Sequence, residues 1–133
     1  LREKQDEVEL VHRELQESAI TDTLTGLHNR RYLQEIFPRI FGQAQRESLC
    51  LSGILMDIDH FKRINDQHGH LAGDQVLTDI AKRVQRDTRK SDVLARYGGE
   101  EFVLLLPDTN LEQAMLRAEQ LRKDIAELHP NQS

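Results

Sequence analysis

The sequence predicts one α/β domain in which helices flank a mostly antiparallel sheet. Three observations lead to this prediction. Residues 49–58 are almost continuously apolar, which is typical of a strand in the interior of a sheet. Two further apolar segments, residues 92–97 and 101–106, flank Gly98-Gly99, and this arrangement is typical of a β-hairpin. Segments with helical spacing of apolar residues precede, separate and follow these strands.

Length and composition restrict the class of protein. The chain has 133 residues, of which 38% are hydrophobic and 31% charged, so one compact domain is expected. The net charge of −5 argues against a partner that is a nucleic-acid polymer or an anionic membrane surface. No apolar run approaches the roughly 20 residues that a membrane span requires. The single cysteine, Cys50, excludes a disulfide within the chain, and we expect a small core residue in a reducing cytoplasm.

Residues 1–20 are polar with a narrow apolar stripe. Leu1, Val8, Val11 and Leu15 are spaced like the a and d positions of a heptad repeat. We interpret this segment as the end of a signalling helix that pairs two subunits, with a sensor region upstream. The alternative is a solvated helix that packs on its own domain.

A turn and a helix follow. Gly26 permits a tight turn within residues 22–27, and Asn29 is a suitable N-cap for a helix that extends to about Gln45. Pro38 predicts a kink or a break in this helix. Its predicted apolar face consists of Tyr32, Leu33, Ile36, Phe37, Ile40 and Phe41.

The second half of the chain predicts three more helices. A short helix covers residues 60–67, and Gly69-His70 with Gly73 indicates a turn before a long amphipathic helix. Pro107 ends the second hairpin strand, and Asn110 can cap a final helix. The predicted apolar residues of that last helix are Ala114, Leu116, Ala118, Leu121 and Ile125.

Carboxylates follow the strand and the hairpin turn. Asp57 lies at the end of the first strand, and Glu100 and Glu101 directly follow the two glycines. If the hairpin lies beside that strand, Asp57 and one or both glutamates converge. Such like charges are unfavourable unless a cation neutralises them, and oxygen ligands suit Mg²⁺. A metal there would fit phosphoryl or nucleotidyl transfer. Taken alone, Asp57 is better explained as a turn residue.

A second polar group lies between Asp57 and the long helix. Its members are Lys62, Asn65, Asp66, His70 and Asp74. A carboxylate and an amide complement the donors and the acceptor on the edge of guanine. Asn65 and Asp74 could face one pocket from adjacent helices. Equally, Asp74 could serve the helix dipole and Asn65 could end a helix, and spacing does not decide between these alternatives.

Three sequence blocks carry a resemblance to a known family. Residues 22–31 read DTLTGLHNRR, residues 57–77 read DIDHFKRINDQHGHLAGDQVL, and residues 96–102 read RYGGEEF. In this order they strongly resemble the GGDEF family of diguanylate cyclases. The resemblance implies the ferredoxin-like palm fold of nucleotidyl cyclases. It also implies that two GTP molecules, one per subunit of a face-to-face homodimer, are condensed into cyclic di-GMP with release of two pyrophosphates.

The resemblance also implies roles for individual residues. The catalytic and metal-binding positions are Asp57, Ile58 through its carbonyl, Glu100 and Glu101. Glu101 is implied either as a metal ligand or as the base for the 3′-hydroxyl. The GTP-binding positions are Lys62 for the terminal phosphates, Asn65 and Asp74 for guanine, and Gly98 and Gly99 for close approach of the nucleotide. The implied cofactor is Mg²⁺, with Mn²⁺ as a substitute.

Other motif positions are implied as structural or regulatory. Asp22 with Arg30 or Arg31 resembles a salt-bridged turn that links the incoming helix to the domain. Arg89 and Asp92, in an RxxD pattern, resemble the inhibitory site at which cyclic di-GMP restrains the enzyme, together with a further arginine. Phe61, Ile64 and Phe102 are expected in the core, and His60 is assigned no chemistry.

The resemblance divides the chain into residues 1–20, the signalling helix, and residues 21–133, the catalytic domain. Relatives continue beyond residue 128 with another strand and with a lysine and an arginine that grip the triphosphate. We therefore expect a C-terminally truncated domain with an open sheet edge or an exposed face. As this fragment, the domain is expected to fold poorly, to pair with a neighbour's strand or to bind GTP weakly, and to be inactive. Two alternatives to an enzyme are a nucleotide sensor without turnover and a purely structural dimerisation domain.

Overall fold

The computed structural model describes residues 7–13 and 19–128. Its elements, in chain order, are β1 (His28–Asn29), α1 (Arg30–Glu47), β2 (Leu51–Asp57), α2 (Phe61–His68), α3 (His70–Arg86), β3 (Val93–Arg96), β4 (Glu101–Pro107) and α4 (Leu111–Leu128). Residues 7–13 and 19–20 are also helical. None of the helices in these described ranges is long and apolar enough to cross a membrane.

The predicted heptad lies only partly within the described residues. Leu1 and Leu15 fall outside them, whereas Val8 and Val11 are 68% and 54% exposed. Neither valine is covered by its own domain. Pairing of two such helices stays a prediction.

The four strands form one sheet in the order β1-β3-β4-β2. β4 is antiparallel to both of its neighbours, and only the short β1 runs parallel to its neighbour β3. The mostly antiparallel sheet and the hairpin are therefore confirmed. In the ladder between β2 and β4, Asp57 lies opposite Glu101. This register places the end of β2 beside the tip of the β3–β4 hairpin.

The sheet separates two apolar layers. On one face, Phe102 and Leu104 of β4 are fully buried against a cluster that includes residues of α2, α3 and α4. Phe61 and Ile64 of α2 belong to this cluster, as predicted. On the other face, Ala95 of β3 and Leu105 of β4 pack with Leu33 of α1. The alternation of side chains along β4 thus supplies both layers.

Helix α1 begins as predicted. The Asn29 side chain accepts a hydrogen bond from the backbone N–H of Tyr32 at 3.0 Å, so Asn29 is its N-cap. Of the predicted kink or break at Pro38, the break is wrong, because the helix continues through Pro38 to Glu47, and the kink stays a prediction. Proline leaves the carbonyl four residues earlier, that of Gln34, without its helical donor. Both Gln34 and Pro38 are exposed, so water can bond that carbonyl.

Three predicted core residues lie outside the core. Phe37 and Phe41 are 42% and 46% exposed and stack on each other with ring centroids 5.8 Å apart. Leu116 of α4 is 75% exposed. In both helices the apolar stripe is wider than the surface of the domain on which the helix packs, so the residues at its margin stay exposed. The side that packs contains Leu33, Ile36 and Ile40 in α1, and Ala114, Ala118, Leu121 and Ile125 in α4.

The prediction that β2 is buried is also wrong. Only Ile54 of this strand is buried, and Leu55 is 66% exposed. Within the described residues, β2 lies at the edge of the sheet and pairs with β4 alone. Because α1 packs over β3, it leaves the side of β2 that contains Leu55 exposed. Cys50, which precedes β2, is exposed rather than a core residue.

An open groove runs beside this edge strand. Its volume is about 480 Å³, and its apolar walls include Ile54 and Met56 of β2 and Leu121 and Ile125 of α4. Within the described residues, β2 is thus an open edge of the sheet.

Candidate functional site

The tip of the β3–β4 hairpin is held by backbone hydrogen bonds. The N–H groups of Tyr97 and Gly98 donate to the carbonyl of Glu101, at 2.8 and 3.3 Å. From the neighbouring strand end, the N–H of Ile58 donates to the carbonyl of Glu100 at 3.2 Å. The segment that follows β2 is thereby fastened to the loop that carries the acidic residues.

Asp57 and Glu100 bring their carboxyl groups together. Partial burial, the negative charge of Asp57, a hydrogen bond with Asp57 and the charge of Glu101 raise the pKa of Glu100, in that order of size. Mutual repulsion of this kind is relieved when a divalent cation binds between two carboxylates. The two side chains therefore fit a metal ion. Asp57 itself is exposed, so a ligand can reach the pair from solvent.

Glu101 does not complete a three-carboxylate cluster. Among residues 7–13 and 19–128, no three His, Cys, Asp or Glu side chains are grouped closely enough to hold a metal ion. Instead, Glu101 lies over Gly98, where an added Cβ would be 2.3 Å from its Oε1 atom. Gly98 thus makes room for Glu101. At Gly99, nothing lies within 4 Å of an added Cβ, so the space above it is open.

Asn65 and Asp74 lie on the neighbouring helices α2 and α3. Asn65 is in the last turns of α2, and its Oδ1 atom is buried without a hydrogen-bond partner among the described residues. An unpaired buried amide oxygen is costly and is a feature of sites that await a ligand. Asp74 is exposed in α3, and Lys62 is exposed three residues before Asn65. The separate helices expected for Asn65 and Asp74 are confirmed.

Gly73 is not a turn residue, contrary to the prediction. Helix α3 begins at His70, immediately after Gly69, whose φ of 87° makes the actual turn. Gly73 is buried within α3 and faces Asn65: an added Cβ would lie 1.8 Å from Asn65 Oδ1. Its lack of a side chain lets the two helices approach closely at the amide. Sequence reasoning missed this role because a glycine in a loop and one at a helix crossing look alike.

The predicted partner of Asp22 is wrong. Asp22 pairs with Arg96 at 3.2 Å, not with Arg30 or Arg31. Arg30 lies over the ring of Tyr97, 4.5 Å from its centroid, and Arg31 pairs with Glu35 of its own helix. The parallel pairing of β1 with β3, which sets Asn29 beside Arg96, brings Arg96 to the turn.

Arg89 and Asp92 are in contact, as the RxxD pattern predicts. The backbone N–H of Arg89 donates to Asp92 Oδ2 at 2.8 Å, and its guanidinium lies 3.6 Å from Oδ1. The Asp92 side chain is fully buried, whereas that of Arg89 is 55% exposed. Arg117 of α4 is the second arginine at this carboxylate, 3.7 Å away. Its contribution was not predictable from spacing, since it comes from a distant helix.

Comparison with known proteins decides the family. The family model described as diguanylate cyclase, GGDEF domain, matches residues 19–133. The chain belongs to the GGDEF family. The motif blocks that carry the resemblance, and the palm-like architecture expected from it, are therefore those of a GGDEF domain.

Relatives of this GGDEF domain include named cyclases. It is 49% identical over 110 residues to diguanylate cyclase DgcP of Pseudomonas aeruginosa, covering 83% of this chain and 16% of the relative. It is 46% identical over 110 residues to response regulator PleD of Caulobacter vibrioides, covering 83% and 24%. The chain thus spans a quarter or less of the length of these two relatives.

Solved GGDEF domains share its fold. The GGDEF domain of DgcB from Caulobacter crescentus, in complex with c-di-GMP, matches with a TM-score of 0.79 and 34% identity, over 82% of this chain and 62% of that one. The active GGEEF domain of a diguanylate cyclase from Vibrio cholerae matches with a TM-score of 0.71 and 45% identity, over 74% and 64%.

Proposed function

We propose that the protein is a diguanylate cyclase, in which this domain condenses GTP into cyclic di-GMP. The observation that carries the proposal is the position of Asp57 beside the tip of a Gly-Gly-Glu-Glu hairpin: Asp57 lies opposite Glu101 in the strand ladder, and the N–H of the next residue, Ile58, donates to the carbonyl of Glu100 at 3.2 Å. The raised pKa of Glu100 agrees with this proximity of Asp57 and Glu100. Membership of the GGDEF family and the named cyclases among its relatives support it. The structural alternative leaves this acidic pair unexplained, and the intact set of Asp57, Asn65, Asp74 and the Gly-Gly-Glu-Glu segment favours the enzyme over the sensor.

GGDEF diguanylate cyclases are metal-dependent. For this domain we assign Mg²⁺, replaceable by Mn²⁺, to Asp57, Glu100 and the carbonyl of Ile58. The paired carboxylates fit a hard cation, and such an ion neutralises phosphate charge and stabilises the attacking and leaving oxygens. Glu101 is assigned either as a further ligand or as the base.

GTP would lie between the hairpin and the α2–α3 pair. The amide of Asn65 and the carboxylate of Asp74 complement the guanine edge. Lys62 would attract the terminal phosphates. The open space at Gly99 would admit the nucleotide, while the space at Gly98 is used by Glu101 itself.

The reaction requires two subunits. Each 3′-oxygen forms a bond to the α-phosphorus of the other GTP, the bond to pyrophosphate breaks, and each hydroxyl proton passes to a base. Two phosphodiester bonds form and two pyrophosphates leave. The exposed Val8 and Val11 suit a helix that pairs the subunits. We place this chemistry in the cytoplasm, where GTP is available.

Product inhibition is assigned to Arg89, Asp92 and Arg117. The exposed guanidinium of Arg89 can fork to phosphate or to the Hoogsteen edge of guanine. Arg117, which lies against Asp92, is the further arginine that the resemblance calls for. We also assign residues 1–20 as the signalling helix and residues 21–133 as the catalytic domain.

The test uses the full-length protein with GTP and Mg²⁺, with cyclic di-GMP as the readout. Formation of cyclic di-GMP by wild type, and its loss by at least about 100-fold in Glu101→Ala, is expected. The matched control is Glu112→Ala, an exposed glutamate in the first turn of α4. If the protein binds GTP under dimer-forming conditions but forms no cyclic di-GMP, the enzyme hypothesis is wrong and the sensor hypothesis takes its place.

The role of Glu101 is separated by a second variant. If Glu101 is a metal ligand, Glu101→Gln weakens Mn²⁺ binding in the presence of a GTP analogue. If it is the base, Mn²⁺ binding is retained and the acidic limb of the pH–rate profile changes instead.

A further inference from the structure

Arg96 joins two distant parts of the chain with one side chain. Its Nε and Nη2 atoms donate to the carbonyl of Gly99, at 3.2 and 2.7 Å. Its Nη1 atom donates to both carboxylate oxygens of Asp22, at 3.2 and 3.3 Å. Arg96 therefore spans the turn that enters the domain and the glycine loop of the hairpin.

The geometry of this contact needs an arginine. A guanidinium presents several N–H donors in a fixed plane, so two of them can grip one carbonyl while a third reaches a carboxylate. A lysine ammonium is a compact donor on a flexible stem and cannot reproduce that fork. The side chains of Arg96 and Asp22 are only 18% and 19% exposed, so solvent screens their pairing weakly.

Backbone hydrogen bonds hold the carbonyls of Glu100 and Glu101 in the loop at one end of the contact, whereas the hydrogen bonds from Arg96 hold the carbonyl of Gly99. Gly98 and Gly99 have no side chains that could restrict the backbone, and Glu100 follows directly. Fixing the Gly99 carbonyl therefore limits where Glu100 can lie relative to Asp57. Glu101, whose carboxylate rests over Gly98, is limited by the same loop.

The turn at the other end is tightly built. The carboxylate of Asp22 accepts from the N–H and the hydroxyl of Thr25, at 2.9 and 2.7 Å. The amide of Asn29 donates to the carbonyl of Ala19 at 2.9 Å, at the end of the incoming helical segment. The incoming chain, Asp22, Arg96 and the glycine loop thus form one continuous set of contacts.

We propose that Arg96 is a positioning residue that holds the metal-binding loop in register with the incoming helix. This inference rests on the proposed function, because the loop's task is to bind metal and GTP. Arg96 sets the placement of Glu100 and Glu101 through the Gly99 carbonyl. A shift of the incoming helix is transmitted through Asp22 to the metal site, whereas guanine recognition, on α2 and α3, is left unchanged.

The experiment compares full-length wild type, Arg96→Lys and, as a control, Arg31→Lys, whose ion pair with Glu35 is exposed. Three quantities are measured: thermal stability, affinity for a non-reactive GTP analogue, and Mn²⁺ affinity of the analogue-loaded protein by electron paramagnetic resonance. The turnover rate is then measured as a function of Mg²⁺ concentration. We expect Arg96→Lys to weaken Mn²⁺ binding several-fold and lower kcat by about 10- to 100-fold. Analogue affinity, measured without divalent cations, should stay within about twofold, and the control should match wild type.

Two results would overturn the inference: unchanged Mn²⁺ affinity and kcat in Arg96→Lys, or a loss confined to GTP-analogue affinity. If Arg96→Lys does not fold, Asp22→Asn takes its place, since it weakens only the outer half of the contact and must still weaken Mn²⁺ binding. If wild type makes no cyclic di-GMP, the proposed function fails, and Mn²⁺ affinity still tests the positioning role.

Discussion

The Oδ1 atom of Asn65 occupies the space that a side chain at Gly73 would need, 1.8 Å from the position of an added Cβ. The Cγ of Asn65 and the ring of Phe61 lie at 2.9 and 3.2 Å from the same point, so the site is closed on more than one side. Helix α3 therefore sets the position of an amide that α2 carries.

Gly73→Ala is expected to displace Asn65 and weaken GTP binding by about tenfold or more, the cost of one or two lost hydrogen bonds. Titration of the full-length variant with a GTP analogue measures this. Gly42→Ala is the control, because Gly42 is also helical but its added Cβ meets only Arg46, at 3.7 Å. If Gly73→Ala and wild type bind the GTP analogue with equal affinity, the assignment of Asn65 to the guanine site is wrong.

Asp74→Asn is expected to reduce selectivity for guanine. A carboxylate can accept both N–H donors of guanine, whereas an amide also presents a donor that opposes them. Losing a charged hydrogen bond predicts a decrease of about 10- to 100-fold in GTP affinity. Competition between GTP and inosine triphosphate, which lacks the 2-amino group, measures the selectivity. If the variant keeps the wild-type preference for GTP over inosine triphosphate, Asp74 only interacts with the helix dipole and does not recognise guanine.

Arg89→Ala is expected to relieve product inhibition without lowering the initial rate. Arg89 is partly exposed and lies away from Asp57 and Glu100 in the sequence and at the other end of β3. The concentration of cyclic di-GMP that halves activity should rise by at least about tenfold. Arg86→Ala, an exposed arginine at the end of α3, is the control. Asp92 is a poor target, because its removal leaves Arg117 without its carboxylate partner. Unchanged inhibition in Arg89→Ala would refute the assignment.

The lowered pKa of Asp22 predicts that the stability of the fold depends on pH. Burial opposes its ionisation, but hydrogen bonds from Thr25 and the charge and hydrogen bond of Arg96 outweigh burial and hold the pKa of Asp22 below its usual value. A carboxylate with a lowered pKa stabilises the fold above its unfolded pKa, and that contribution is lost as pH falls through the folded pKa.

Asp22→Asn should therefore lower the free energy of unfolding at neutral pH, by about 1 kcal/mol. The difference from wild type should shrink as the pH falls below the usual pKa of aspartate. Denaturant unfolding of both proteins over a series of pH values measures it, with Glu35→Gln as an exposed control. A difference that is independent of pH would mean that the Asp22 charge does not stabilise the turn.

Much of the local structure was predictable from the sequence. Within residues 30–128, apolar spacing predicts the helices and the hairpin to within a few residues, because helix and strand periods differ and Gly98-Gly99 interrupts the pattern. The Asn29 cap was predictable since capping depends on neighbouring residues only. The motif blocks at residues 22–31, 57–77 and 96–102 identify the family, and they contain the candidate metal-binding and GTP-binding residues.

The tertiary structure decided which residues meet. Asp22 and Arg96 are 74 positions apart, and only the parallel pairing of β1 with β3 brings them together. The role of Gly73 in making room for Asn65 and the exposure of Leu55 and Cys50 depend on which element packs on each face. The sequence pattern of a single element does not contain that information. Local sequence determines the period and the caps of an element, whereas a contact between distant residues depends on register and layer order, which the whole chain sets.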